Sequence, residues 1–188
     1  SSTAFAAGKT IAIVSEDANQ IVLEGTAADL NITPSQYLPY KNISIPGYSV
    51  IQKGGSPAVL QTGQLIEIPE GCDIEVSSYP VETVEYPAFL LGPAPYAIVV
   101  DDEQGNETFT GNQTVTGKQI VTGNQTVTEK YLPDFDSYAK NAYSPAELAT
   151  IEYTGYLRDK RIARLLCYPV QYNPVTNTLL VHKKYEVH

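Results

Sequence analysis

The fold is decided by RIARLLCYPVQY at residues 161–172, NPVTN at 173–177 and TLLVHKKYEVH at 178–188. Two long runs rich in β-branched and aromatic residues flank a short segment that contains Asn and Pro. Strand-forming runs separated by a few turn-forming residues are the sequence pattern of a β-hairpin. We therefore predict two long antiparallel strands over 161–172 and 178–188, joined at 173–177.

Alternation within this hairpin indicates which side chains are buried. In the final run the apolar residues recur at alternate positions: Leu179, Val181, Tyr185 and Val187. Successive side chains of a strand point to opposite faces, so these four belong to one face, with Lys183 as the exception. Tyr168, Val170 and Tyr172 alternate in the same way, and we expect them to oppose the final strand across the turn.

Shorter runs of the same kind occur upstream, separated by turns that contain Gly and Pro. They cover residues 11–14, 21–23, 43–45, 48–51, 65–68, 72–76 and 96–100. The first two predict a hairpin. One helix start is visible in SPAE at 144–147, where Ser can cap, Pro fits the first helical position and Glu completes a capping box. The whole pattern predicts an all-β, antiparallel β-sandwich with at most one or two short helical turns; a barrel is the alternative.

The charge of the chain excludes two classes of partner. Its 21 acidic and 12 basic residues give a net charge of −9. Residues 1–117 alone carry 14 acidic and 3 basic residues, or −11. Binding to nucleic acid or to an anionic membrane rests on clustered Lys and Arg, so we expect neither partner. No apolar run approaches the roughly 18 residues of a membrane-spanning helix.

Few residues are available for catalysis. The two cysteines, Cys72 and Cys167, belong to no CxxC pair, and the two histidines are His182 and His188. A catalytic cysteine needs a base held beside it, and Cys167 with His182 across the final hairpin is the one conceivable pair. The thiols could also form a disulfide, but we favour two buried, inert thiols. We predict that the chain is not an enzyme.

Carboxylates near Gly105 are the remaining candidates for a metal site. Four of them could supply the oxygen ligands that Ca²⁺ prefers: Asp101, Asp102, Glu103 and Glu107. Asp134 with Asp136 forms a thinner second candidate. Because acidic turns are common on acidic proteins, we expect no cofactor and treat calcium as a weak alternative.

A hexapeptide occurs three times in succession, as GNQTVT at 111–116, GKQIVT at 117–122 and GNQTVT at 123–128. Stacked hexads build parallel β-helices, but three copies are too few to bury a core of their own. We therefore predict a single domain over residues 1–188 with a polar, extended insertion at about 107–130.

Four motifs crowd the C-terminal part of the chain: RDKRI at 158–162, YPVQYNP at 168–174, TLLVH at 178–182 and KYEV at 184–187. Together they resemble the end of the propeptide of gingipain-type secreted cysteine peptidases. KNAYSPAE at 140–147, GYSV at 47–50 and LIEIPEG at 65–71 are similar to earlier parts of the same propeptide. The residues that carry the C-terminal motifs are Arg158, Arg161, Tyr168, Pro169, Tyr172, Asn173 and Pro174.

The resemblance implies an all-β prodomain that precedes a caspase-like catalytic domain, which would lie beyond His188. Such a prodomain assists folding of its cysteine protease, keeps it latent until cleavage and contains no catalytic residue. A secreted or cell-surface location and the cognate catalytic domain as partner follow from the same resemblance. The alternative is a β-sandwich adhesion or carbohydrate-binding module, because the 14 Tyr residues would supply stacking and hydrogen-bonding surface.

The resemblance also implies an inhibitory segment, because prodomains of this family present a basic residue to the specificity pocket of the protease. Residues 107–128 form the longest polar segment of the chain, and Lys118 is the single basic residue in it. Gly117 precedes Lys118, and a residue without a side chain lets a partner approach the backbone closely. We therefore predict that Gly117 and Lys118 contact the protease.

Overall fold

A computed structural model describes residues 10–17, 19–27, 29–51, 53–71, 73–101, 107–109, 120–121 and 125–188. These residues form fifteen strands and one helix of four residues, which confirms the all-β prediction. The named strands pair with one another in antiparallel fashion throughout. No helix in these ranges has the length and hydropathy that crossing a membrane requires.

The first sheet is built around the last strand of the chain. Its members are β1 (Ile11–Glu16), β2 (Ile21–Thr26), β7 (Ser78–Tyr86), β14 (Val170–Asn173) and β15 (Thr178–Val187). β15 pairs with β7 along one side and with β14 and β2 along the other. The predicted hairpins β1–β2 and β14–β15 are therefore both present.

Two further sheets and a separate strand pair complete the fold. The second sheet has the order β12 (Ala149–Leu157), β13 (Lys160–Cys167), β6 (Leu60–Glu67) and β5 (Ser49–Val50). The third sheet, called the arm below, has the order β10 (Ile120–Val121), β11 (Gln125–Lys130), β8 (Tyr96–Asp101) and β9 (Glu107–Phe109). β3 (Asn31–Pro34) pairs with β4 (Lys41–Ser44).

The first and second sheets pack face to face through a shared core. One cluster joins the two sheets and contains Ile11, Leu23, Ala149, Leu165, Cys167, Tyr185 and Val187. A second cluster surrounds Leu179 and Val181 with Leu60, Phe89 and Leu91. The four alternating residues predicted to face inward from β15 are therefore all buried, two in each cluster. Burial of one such side chain stabilises the fold by about 1.5–3 kcal/mol.

The prediction of one strand over 161–172 is wrong, because the chain changes sheets in the middle of it. β13 belongs to the second sheet, whereas β14 belongs to the first. Pro169 lacks the N–H that a continuing ladder needs. At this crossing Tyr168 N donates to Leu148 O at 2.7 Å, and His182 N donates to Pro169 O at 2.8 Å. Tyr168 therefore does not oppose the final strand, whereas Val170 and Tyr172 do so as predicted.

The single helix does not begin at the predicted position. Residues 144–147 are irregular, because the N–H and C=O of Ser144 both pair with the backbone of Tyr172, at 3.0 and 3.1 Å. The side-chain amide of Gln171 donates to the carbonyl oxygens of Pro145 and Ala146, at 2.9 and 3.1 Å. The helix is instead α1 (Phe135–Tyr138), capped by Asp134.

The alternating stretch at 72–76 is not a strand in its described part, residues 73–76. Ile74 and Val76 are half-buried while Asp73 and Glu75 are exposed, so the predicted alternation of faces is present. The stretch forms no ladder, and β7 begins only after Ser77, whose backbone pairs with His188 at 2.9 and 3.0 Å. The alternation of apolar and polar residues therefore indicated an extended segment, but this segment pairs with no described strand.

Candidate functional site

The structure gives the one conceivable catalytic pair separate partners. Cys167 is fully buried in the core, where desolvation raises the pKa of its thiol to about 12 and Tyr185 is its hydrogen-bond partner. His182 lies 2.7 Å (Nδ1) from Thr83 Oγ1 and 3.0 Å (Nε2) from Gln171 Oε1. A protonated, inaccessible thiol is a poor nucleophile. The predicted burial of Cys167 is confirmed, and Cys72 lies outside the described residues.

The predicted calcium site near Gly105 falls mostly outside the described part of the chain. No three His, Cys, Asp or Glu side chains there converge on a position that could hold a metal ion. Asp101 ends β8, and Asp102 and Glu103 lie outside the described residues. In the second candidate, Asp134 caps α1, and its hydrogen bond from the Ser137 hydroxyl holds the pKa of its carboxyl below the ordinary range.

The hydroxyl of Tyr172, one of the motif residues, lies within hydrogen-bond distance of three groups. It is 1% exposed, and its hydroxyl donates to Phe89 O at 3.0 Å and accepts from Leu91 N at 3.4 Å. The same hydroxyl lies 3.1 Å from Asn177 Oδ1. Tyr172 therefore ties the chain from Phe89 to Leu91 to the β14–β15 turn.

The other motif residues from 168 to 174 lie at the sheet crossing and at that turn. The Tyr168 hydroxyl lies 3.3 Å from Thr150 Oγ1, and Pro169 is buried. Asn173 Oδ1 accepts from the backbone N–H groups at positions 175 and 176, and its side-chain amide donates to Asn141 Oδ1 at 3.1 Å. Pro174 follows it, buried at the start of the turn. These residues make structural contacts within the chain.

The two motif arginines lie where β12 turns into β13. Arg158 occupies the turn with φ of 60°, in the left-handed region. Arg161 follows in β13 and donates from Nη1 to Pro69 O at 3.0 Å. Arg158 thus lies in the turn before β13, and Arg161 lies in the second sheet.

The predicted inhibitory residues Gly117 and Lys118 lie outside the described residues, between two strands of the arm. Among the described residues, β9 and β10 are the two outer strands of this sheet, and residues 110–119 connect them in sequence. β10 begins at Ile120, two positions after Lys118. An edge strand presents unpaired N–H and C=O groups along its outer side. The predicted contact residues are therefore adjacent in sequence to an edge strand.

The described part of the hexad repeat is antiparallel. β10 belongs to the second copy and β11 begins in the third, and Ile120 pairs with Thr126 in antiparallel register. Coils of a parallel β-helix would place successive copies in parallel. The antiparallel pairing is therefore more consistent with the predicted extended insertion than with a β-helix.

The arm is fastened to the rest of the molecule where β8 begins and where β11 ends. At the start, Tyr96 lies so close to the loop that a Cβ atom at Gly54 would fall 2.5 Å from Cδ1 of its ring, and one at Gly55 would fall 2.3 Å from its hydroxyl oxygen. At the end, Tyr131 packs on Tyr37 with ring centroids 5.8 Å apart.

The chain that follows the arm is held to the same loop. Asp134 N donates to Gly55 O at 2.8 Å, and Ser56 Oγ lies 3.0 Å from Ser137 Oγ. The Tyr138 hydroxyl then donates to Leu91 O at 2.8 Å. Residues 53–56, 96 and 131–138 are called the base of the arm below. Sequence reasoning missed this base, because its contacts join residues 41 to 94 positions apart and form no local motif.

Comparisons with known proteins were made for sequence and structure. The sequence model of the family Propeptide_C25 matches residues 30–188. A search of curated proteins gave no match. A chain in "Complex of Porphyromonas gingivalis RgpB pro- and mature domains" superposes with a TM-score of 0.71 and 18% identity, covering 95% of this chain and 81% of that one.

A second solved structure is also similar. A chain in "Structural insight into zymogenic latency of gingipain K from Porphyromonas gingivalis" superposes with a TM-score of 0.58 and 22% identity. The alignment covers 97% of this chain and 93% of that one. At these identities the two likenesses show that the all-β fold is shared.

Proposed function

The chain belongs to the Propeptide_C25 family, and from this we propose that it keeps its own cysteine protease latent by placing the arm against the active-site cleft. The resemblance predicted from the C-terminal motifs is confirmed by the family match, so the chain is the prodomain of a gingipain-like cysteine protease and is itself non-catalytic.

One observation carries the choice of the arm. The base fixes the start of β8 and the end of β11 to the rest of the molecule through Tyr96, Tyr131 and Asp134. A segment whose two ends are fixed loses less conformational freedom on binding than a free loop does. Fixed ends therefore favour the arm as the element that is presented to a partner.

The edge position of β10 favours the segment that includes Lys118. Extended peptides bind by adding a strand to an exposed edge, with backbone hydrogen bonds for affinity and side-chain pockets for specificity. Lys118 precedes β10 by two positions and is the single basic residue of 107–128. We therefore assign Lys118 as the specificity residue and Gly117 as the point of close backbone approach.

The remaining parts of the proposal concern location and folding. We place the chain in a secreted or cell-surface protein, with the catalytic domain encoded after His188, and we assign it a second role as a folding aid for that domain. The encoded sequence beyond His188 tests the arrangement: a His-Gly pair and a downstream catalytic Cys support it, whereas further β-modules contradict it.

Inhibition of the catalytic domain by this chain in trans tests the inhibitory role. Truncating one partner of a buried charge pair weakens binding by about 2–5 kcal/mol, or roughly thirty- to several-thousand-fold. We expect Lys118→Ala to lose inhibition by such a factor, and Lys160→Ala, an exposed lysine of β13, to inhibit like the wild type. Equal inhibition constants for wild type and Lys118→Ala would remove Lys118 from the mechanism. A wild-type chain that does not inhibit would overturn the proposed function.

A further inference from the structure

A cavity of about 270 Å³ lies beside the base of the arm. It is formed where the loop from 51 to 59, helix α1, the segment from 140 to 146 and the β14–β15 turn meet. Much of its wall is apolar and comes from Ile51, Pro57, Val59, Ala142, Pro145 and Pro174. The cavity opens to the surface. Among its described lining residues, Pro174 belongs to the C-terminal motifs, and six belong to the family-like stretch at 140–147.

The charged groups of the wall are of one sign. Among the described residues, Lys53 and Lys140 line the cavity and no carboxylate does. Neither lysine forms an ion pair with another described residue. Residues 1–117 contain three basic residues in all, one of which is Lys53. A pair of cations on an apolar wall, in a chain of net charge −9, therefore stands out from its surroundings.

Within the described residues, Asp134 interacts electrostatically with Lys53 but forms an ion pair with neither lysine. Asp134 lies close enough for Lys53 to contribute to the lowered pKa of its carboxyl, but the larger causes are its bonds from Ser137. The Ser137 hydroxyl donates to Asp134, and Ser56 lies 3.0 Å from Ser137. Tyr143 and Ser144 also line the cavity, and their hydroxyls make no side-chain hydrogen bond within the described residues. Two cations and two hydroxyl donors are thus available to an anion.

We propose that this cavity receives an acidic side chain, with its apolar neighbours, from the catalytic domain of the protease. Carboxylates pair with lysine and accept from hydroxyl donors, and the apolar wall suits the flanking residues of a peptide better than a hydrated inorganic ion. Ser56 and Ser137 belong both to the cavity wall and to the base. A protein that binds the arm would therefore meet the cavity as a continuation of the same interface.

The inference rests on the proposed function, and the experiment separates the two. The dissociation constant of the complex with the catalytic domain is measured at low and at high salt for two doubly substituted chains. Lys53→Gln with Lys140→Gln removes the two cavity cations. Lys160→Gln with Lys183→Gln removes the same net charge from β13 and β15 and serves as the control. Thermal unfolding of each chain checks that the fold is retained.

We expect the cavity variant to bind about tenfold more weakly than the wild type at low salt, and to lose less affinity than the wild type when salt is raised. The control is expected to bind within twofold of the wild type. Equal affinity and salt dependence for the cavity variant and the wild type would overturn this inference while leaving the role of the arm intact. A wild type that fails to bind would instead overturn the proposed function.

Two further outcomes concern the identity of the occupant. Self-association of the isolated wild-type chain that disappears in the cavity variant would assign the cavity to a second copy and overturn the proposed occupant. Displacement of the catalytic domain by glutarate in the wild type, and its absence in the cavity variant, would support a carboxylate as the recognised group.

Discussion

Tyr185 lies across the backbone of Gly25, its direct cross-strand neighbour between β15 and β2, so closely that a Cβ atom at Gly25 would fall 2.0 Å from Cζ of the ring. The ring is fully buried, and its hydroxyl lies 3.1 Å from that of Tyr48, which donates to Thr26 O at 2.8 Å. A glycine at position 25 is therefore a packing requirement of the shared core, set by a residue 160 positions away.

Gly25→Ala is expected to destabilise the domain by about 1–3 kcal/mol, because overpacking moves the ring or the strand. The free energy of unfolding in urea measures the effect. Tyr185→Ala and the double variant complete a double-mutant cycle. In the Tyr185→Ala background, Gly25→Ala should lower the free energy of unfolding only slightly. Additive losses of free energy in the two single variants would show that the residues do not compete for the same space.

The buried hydroxyl of Tyr172 provides a second test of the core. Tyr172→Phe leaves Leu91 N–H without its buried acceptor, and an unsatisfied buried polar group costs about 1–3 kcal/mol. Tyr156→Phe is the matched control, because Tyr156 is 64% exposed. This substitution should lower the free energy of unfolding by less than about 0.5 kcal/mol. Similar free energies of unfolding for the two variants would contradict the role given to the Tyr172 hydroxyl.

His182 is expected to make the fold sensitive to acid. Burial lowers the pKa of His182 below its ordinary value of 6.5, so the folded state prefers the neutral ring. This preference contributes fully to the free energy of unfolding above pH 6.5. The contribution is lost as the pH falls from 6.5 through the lower pKa that His182 has in the folded state. The free energy of unfolding of His182→Gln, measured between pH 5 and 8, should therefore have a shallower acid slope than the wild type. Parallel slopes would show that other groups cause the acid sensitivity.

Cys167 is expected to resist thiol reagents in the native state. Burial raises the pKa of its thiol to about 12, so raising the pH to 9 should not create a reactive thiolate while the fold persists. A Cys72→Ala background isolates the reaction, which should become fast only in denaturant. Because the folded pKa exceeds the unfolded value of 9.0, the stability linked to this group is present below pH 9 and is lost as the pH rises above it. Rapid native-state labelling would contradict the burial of Cys167.

Local sequence determined the features that depend on neighbouring residues alone. The all-β class follows from short β-branched runs between turns, and the inward face of β15 follows from alternation at every second residue. The β14–β15 hairpin follows from turn-forming residues between two such runs. The C-terminal motifs were sufficient to indicate the family that the match over 30–188 identifies.

Tertiary structure alone decided how the extended segments are shared among the sheets. Residues 161–172 divide between two sheets at Pro169, and residues 73–76 alternate without joining a ladder. β7 and β12 were missed, the former because Pro80 and its charged neighbours weaken a strand pattern that β15 completes by pairing. Strand hydrogen bonds are made between segments, so a sequence shows which stretches can be extended but not which partner satisfies their backbone groups.

The candidate site divides in the same way. Lys118 and Gly117 were chosen from a family resemblance and a polar segment, which are signals local in sequence, and their role stays a prediction. The base and the adjoining cavity were not predictable from such signals, since Lys53 and Lys140 are 87 positions apart and meet only when α1 packs against the loop from 51 to 59. Side chains from distant segments acquire a shared electrostatic role only once the buried core has fixed the distance between them.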